Sequence, residues 1–337
     1  MADNTPVQRG LAMTKSPFVL DSIATLLIFV ALLAVALLPE VSGEYGVQVA
    51  FRLLLYIVLG EAWNLMAGYC GLVSLGASSF IGVGAYVLVA VLNAFNIPIP
   101  VMLLGCGAAA AIVALIVSPA VFRLRGLYFT VGTLALGEAF RLFMINAPYF
   151  GGASGWFLNA PSPSTDALLY YAIGLLIVTT IIVSACTQTR FSILLRSVRD
   201  DEDAATQMGV RAFRVKLAAF VVASFLMGAA GGLQAYKLGA IEPYGMFGLQ
   251  WTIDVLSLVL IGGLGLRLGP VVGAVIVIAL GEYLADYPEL HIAITGVILI
   301  LIVRFAPKGV LGLVLQLVAA REASRPDRVA VNSGRIR

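Results

Sequence analysis

The chain has 337 residues, 61% of them hydrophobic and only 12% charged, with a mean hydropathy of +1.00. So little polar surface could not cover a soluble globule, which excludes a soluble enzyme or binding domain and points to an integral membrane protein. The formal net charge of +3 matters less than where each Lys and Arg falls, because basic residues collect on the cytoplasmic side of a bilayer.

About 20 apolar residues cross a hydrocarbon core, and this ruler predicts an all-α polytopic fold of about ten transmembrane helices. After a leading segment, residues 1–17, the first span runs from Phe18 to Leu38; no small-residue cleavage site follows it, so it reads as retained. Further spans are predicted at Val47–Met66, Leu72–Phe95, Val101–Phe122, Leu127–Asn146, Ala167–Thr187 and Val215–Leu238. Three more follow at Trp251–Leu264, Gly269–Leu284 and His291–Val303. The segments at 251–264 and 269–284 are short and Gly-rich, which leaves both full spans and re-entrant helices open; the latter need protein or water to shield their backbone. The expected organisation is a membrane domain over 18–320, containing a charged loop at 188–214, and a basic tail at 321–337.

With the N-terminus placed in the cytoplasm, Arg9, Lys15, Arg123, Arg125, the Arg190–Lys216 loop, Arg267, Arg304, Lys308 and the tail from Arg321 all fall on that side. The opposite loops "PEVSGEYG", "NIPIP", "YFGGASGW", "AIEPYGMF" and "YPEL" contain no Lys or Arg. This asymmetry predicts an even number of spans with both termini cytoplasmic. Arg52, Arg141 and Lys237 lie near outer span ends, where long side chains snorkel to the interface.

The stretch "RSVRDDEDAATQMGVRAFRVK", Arg196 to Lys216, concentrates the charge. Asp200, Asp201, Glu202 and Asp203 suit the first turn of a short helix, whose N-terminal dipole favours acids, and Gly209 marks its end. Taken alone, it also fits a solvated amphipathic linker. All four lysines, Lys15, Lys216, Lys237 and Lys308, lack the glycine frame of a phosphate-binding loop, so ATP hydrolysis by this chain is not expected.

Glu61, Glu138 and Glu282 each follow a Leu-Gly pair inside an apolar run, in "LGEAWNL", "LGEAFRL" and "LGEYL". Carboxyl groups at such depth need partners, and two readings stand: ties between helices, or a proton or cation relay as in a secondary transporter. Arg141, three residues beyond Glu138, suits an intrahelical pair. Ser74, Ser78 and Ser79 are spaced to share one side of a helix, where their hydroxyls would either line a passage for a zwitterion or bond neighbouring helices. Gly265, Gly269 and Gly273 repeat every four residues and suit close helix packing. Cys70, Cys106 and Cys186 are scattered singly and read as packing, and with His291 the only histidine no His-based metal cluster or Ser-His-Asp arrangement can be built. Neither a metal nor a nucleic acid is indicated.

Five blocks in order carry a resemblance: "GYCGLVSLGASSFIGVGAYV" from Gly68, "RGLYFTVGTLALGEAFRL" from Arg125, "RSVRDDEDAATQMGV" from Arg196, "KLAAFVVASFLMGAAGGL" from Lys216 and "IGGLGLRLGPVVGA" from Ile261. Over nearly its full length the chain resembles the larger-type membrane subunit of branched-chain amino acid ABC importers. The resemblance implies a pore shared as a heterodimer with a second, homologous permease subunit in the bacterial inner membrane. It also implies two cytoplasmic ATPase subunits that hydrolyse ATP, a periplasmic substrate-binding protein, and no cofactor held by this chain. Asp203, Ala204, Ala205 and Gly209 match the Glu-Ala-Ala, three residues, Gly element of the family's coupling loop, a knob that docks on the ATPase. Ala77 stands where members often have His, and Phe150 where they often have Thr; these departures leave open whether the substrate is a branched-chain or other amino acid, urea, an amide or an aromatic acid.

Overall fold

The computed structural model describes residue 28 and residues 43–159, 161, 163–284, 288–306 and 308–323. Apart from Ile28, which is buried, the predicted span at 18–38 lies outside the described residues, as do the leading segment, the tail beyond Ala323 and the His291 side chain.

Long apolar runs form the helices. α1 (Glu44–Asn64) continues into a π-helical turn, Leu65–Tyr69. It is followed by α2 (Ala77–Ala94), α3 (Ile99–Val121), α4 (Leu127–Ile145) and α5 (Thr165–Thr187), the last capped by the Ser164 hydroxyl. Then come α6 (Phe191–Asp200), α7 (Glu202–Gln207), α8 (Ala212–Leu238) and α9 (Pro243–Met246). α10 (Leu249–Gly262), α11 (Gly269–Tyr283), α12 (Pro288–Phe305) and α13 (Gly309–Ala323) complete the described chain. A two-stranded antiparallel ribbon, Trp156–Phe157 with Ala240–Ile241, ties the α4–α5 connection to the end of α8. Among the described residues seven helical stretches are long and apolar enough to cross a bilayer: 44–69, 77–94, 99–121, 127–145, 165–187, 212–238 and 243–262. The fold is that of an all-helical polytopic membrane protein. α10 and α11, with 14 and 15 residues, form a short hairpin. At ~1.5 Å per residue each spans only about 22 Å, less than the ~30 Å hydrocarbon core.

The bundle is built around α8, which lies against α2 and α3. At Gly84, Gly228 and Gly231 the backbones touch: a side chain on Gly84 would strike the Gly228 carbonyl, and one on Gly231 the Ile81 carbonyl. Phe220 packs edge-on against Phe80 and Phe122, with ring centroids 5.3 and 5.4 Å apart. Close glycine contacts replace a hydrophobic driving force where lipid is as apolar as leucine.

Two expectations are corrected. The predicted span from Leu72 starts too early: Gly71 takes φ +78° and the backbone stays non-helical until Ala77. Hydroxyls and an indole from neighbouring helices satisfy the freed backbone groups. Leu75 N–H donates to Thr133 Oγ1 (2.9 Å), Thr252 Oγ1 donates to the Leu75 carbonyl (3.2 Å), Thr130 Oγ1 to the Val73 carbonyl (2.8 Å) and Trp63 Nε1 to the Ser74 carbonyl (2.9 Å). Such a break is tolerated at membrane depth where protein supplies partners to the freed backbone groups. Ser74 therefore sits in the break and not on a helix face with Ser78 and Ser79. Likewise Gly265 lies in the α10–α11 turn at φ +75°, leaving only Gly269 and Gly273 of the four-residue repeat on a helix.

Candidate functional site

The acidic run is divided between two helices: Asp200 ends α6, and Asp201, Glu202 and Asp203 begin α7. Asp201 is the N-cap of α7, its side chain accepting from Ala204 N–H at 2.9 Å, and Glu202 and Asp203 fill the first turn. The helix ends in a Schellman arrangement: Val210 N–H donates to the Ala205 carbonyl and Gly209 N–H to that of Thr206, both at 3.0 Å, with Gly209 at φ +87°. Asp203, Ala204 and Gly209 are exposed, and nothing lies within 4 Å of where a Gly209 side chain would start. Ala205 is buried and faces the body, so it anchors the knob. Met208, 86% exposed, is a large apolar side chain at the tip that charge patterning overlooked.

A chain of polar contacts joins this knob to the bundle. Glu202 accepts from Lys216 Nζ at 2.6 Å, and the buried lysine also lies 5.6 Å over the Phe122 ring. At the end of α6, Arg199 Nη1 donates to the Gly68 carbonyl at 3.0 Å, inside the π-helical turn of α1. One helical turn deeper, Asn64 clamps the tip of the α10–α11 hairpin: its Nδ2 donates to the Leu266 carbonyl (3.0 Å) and its Oδ1 accepts from Gly265 N–H (2.8 Å). Beyond the clamp, Arg267 is not a solvated loop residue. It is buried, with Nη1 3.4 Å from Glu61 Oε2 and Nη2 donating to the Thr180 carbonyl (2.9 Å) and Ser184 Oγ (3.0 Å) on α5. Arg267 sits between two apolar runs, where sequence reading assigns a cytoplasmic loop; only the three-dimensional approach of α1 and α5 reveals its partners.

The other carboxylates are also paired. Glu138 Oε2 accepts from Arg141 Nε at 2.9 Å and from Nη2 at 2.6 Å, as their spacing suggests, and the guanidinium lies 5.1 Å over the Tyr244 ring. Glu282 is bound by Arg52 and the Tyr45 hydroxyl, tying α11 to α1. Asp254, a fourth carboxylate in an apolar run, accepts from Tyr56 (3.0 Å) and Gln250 (2.6 Å); its polarity within α10 was the available signal. Ser78 and Ser79 are buried at the α2–α4 contact beside Gly137, and Ser74 Oγ accepts from Gly76 N–H. The structure thus separates the three serines and does not bring Glu61, Glu138 and Glu282 into one cluster. Among the described residues no group of three or more His, Cys, Asp or Glu side chains could hold a metal.

The geometry is that of a multi-span helical membrane protein with a capped, exposed short helix bonded to its bundle. The family described as "Branched-chain amino acid transport system / permease component" matches residues 45–303, and the chain belongs to it. Similar proteins include the high-affinity branched-chain amino acid transport system permease protein LivM of Escherichia coli (strain K12), 26% identical over 90% of this chain and 80% of its own length. The LivM protein of Salmonella typhimurium is 25% identical over 85% of this chain and 74% of its own. No solved structure matches.

Proposed function

We propose that this chain is the membrane-spanning subunit of an ATP-binding cassette importer in the bacterial inner membrane. It forms half of a heterodimeric pore that moves branched-chain amino acids or related small polar molecules inward. In this reading a periplasmic binding protein delivers the solute and two cytoplasmic ATPase subunits hydrolyse the ATP. The observation that carries the proposal is the knob at 201–209: a capped, exposed short helix whose base, Glu202 and Arg199, is bonded to Lys216 of α8 and to the Gly68 carbonyl of α1. A push on the knob reaches both helices through partly or fully buried bonds, so movement of an ATPase would reach the interior. A proton relay finds no support here, since Glu61, Glu138 and Glu282 are each held by an arginine and lie on three different helices.

The test is substitution at Gly209. Space around it is open, so bulk there obstructs a docking partner and not this chain's own packing. A non-glycine residue at φ +87° costs on the order of 1–2 kcal/mol, too little to unfold the bundle. Gly209→Trp should insert normally but lose ATP-dependent uptake, while Gly209→Asn, which tolerates that backbone, should retain most of it. Normal uptake and ATPase stimulation with Gly209→Trp would remove the coupling assignment.

A further inference from the structure

Of the seven candidate spans, α4 is the least covered: 17% of it is buried, against 39–78% for the other six. Only Phe129, Thr133 and Gly137 are buried, a single line along one side. The exposed parts of α3 and α5 are what lipid requires, with Leu104, Ile112 and Ile116 on one and Val178 and Ile181 on the other; α3 has no charged residue and α5 only Asp166 in its first turn. α4 differs. Glu138 lies on its uncovered side, with a side chain 43% exposed, and its partner Arg141 is 23% exposed. Glu138 is seven residues from the helix end at Ile145, about 10 Å at ~1.5 Å per residue, well inside an apolar span. Charge at such depth is tolerated toward a bundle interior or a water-filled cavity and not toward acyl chains, where it costs about 2.5–3.5 kcal/mol or more.

The chemistry of the pair selects the occupant. Both Arg141 donors go to the same oxygen, Oε2, which leaves Glu138 Oε1 outside the pair. One turn before Glu138 the exposed residue is the small Ala135, and one turn beyond it is Leu142. A guanidinium and a carboxylate side by side are the complement of an α-carboxylate and an α-ammonium, each met by a charge-assisted hydrogen bond. The geometry points to the uncovered side of α4 as a wall of the solute path, on which Arg141 and Glu138 receive the two charges of an amino-acid zwitterion. Because the two side chains are already paired, the solute exchanges one set of partners for another. Binding stays weak enough for release, as conduction demands. This assignment rests on the amino-acid permease reading and supplies its contact residues.

The test uses the full complex in vesicles, with its second permease subunit, ATPases and binding protein, and L-leucine as the probe. Arg141→Gln should cut leucine uptake about tenfold, and Glu138→Gln, which keeps an acceptor oxygen, should cut it less. Glu138→Gln/Arg141→Gln leaves no lone charge, so it should assemble normally and still lose about tenfold, with ATPase stimulation by the binding protein within about twofold of wild type. Cysteine at Ala135 or Ala139 should react with a charged, water-soluble thiol reagent and be protected during leucine transport. Uptake by the double variant within about twofold of wild type would overturn the assignment. So would cysteines closed to the charged reagent in every nucleotide state, which would mark the face as covered by protein or lipid. A wild-type complex that moves no leucine at all would instead sink the amino-acid reading, and the zwitterion assignment with it.

Discussion

Arg267 and Glu61 carry the sharpest residue-scale expectation. Both are buried, on separate elements, and Arg267 also engages two groups of α5. Removing one member of a buried ion pair strands the other and costs on the order of 3–5 kcal/mol, whereas neutralising both is much milder. Arg267→Met should therefore lower the thermal midpoint of the purified protein sharply. Glu61→Gln/Arg267→Gln should restore a large part of it, and a double variant no better than Arg267→Met alone would show that the pair is not the unit of stability. Lys216 and Glu202 repeat the arrangement closer to the knob, with the lysine buried and the glutamate partly open, so the same pair logic applies there with a smaller cost.

At the scale of elements, the glycines separate into two kinds. Gly84, Gly228 and Gly231 let α2 and α8 touch backbone to backbone, while Gly174 on α5 has nothing within 4 Å. Gly231→Val should abolish stable insertion, because its side chain would strike the Ile81 backbone of α2 and neither backbone can withdraw from a packed interface. Gly174→Ala should leave the thermal midpoint unchanged; the reverse ranking in a melting experiment would mean that the α2–α8 contact is not what holds the bundle. Sequence alone carried most of this level. Hydropathy located five of the seven long helices within three residues at either end, and the acidic run with Gly209 marked a short helix there, although it put Asp200, the last residue of α6, in that helix's first turn. The break at 71–76 escaped because Leu72, Val73 and Leu75 read as continuous apolar chain. What permits the break is a set of hydroxyls from Thr130, Thr133 and Thr252, residues 55 or more positions away, which no local periodicity records. Arg267 escaped for the same reason: basic residues between apolar runs read as solvated loops until α1 and α5 are seen to supply partners. The one-sided cover of α4 was also hidden: Glu138 and Arg141 set its composition apart from α3 and α5, but spacing alone does not tell which side its neighbours leave open.

For the whole molecule, the knob at one end of the bundle and the charged face of α4 are parts of one device if the chain is driven by partners that hydrolyse ATP. The partly buried contacts running from Glu202 and Arg199 through Gly68 and Asn64 to the α10–α11 hairpin give the bundle a path along which a displacement at the surface becomes a rearrangement inside. Packed interiors respond to such a push by switching between discrete arrangements. The most direct measurement is leucine uptake into vesicles holding the complete complex, run with and without internal ATP and with the proton gradient collapsed by an uncoupler. The account predicts accumulation that requires ATP and the binding protein, ignores the uncoupler, and persists substantially in Glu282→Gln, whose carboxylate lies outside the buried Glu61–Arg267 pair and the Glu138–Arg141 pair. Gradient-dependent uptake by this chain alone, indifferent to ATP and abolished by Glu282→Gln, would contradict it.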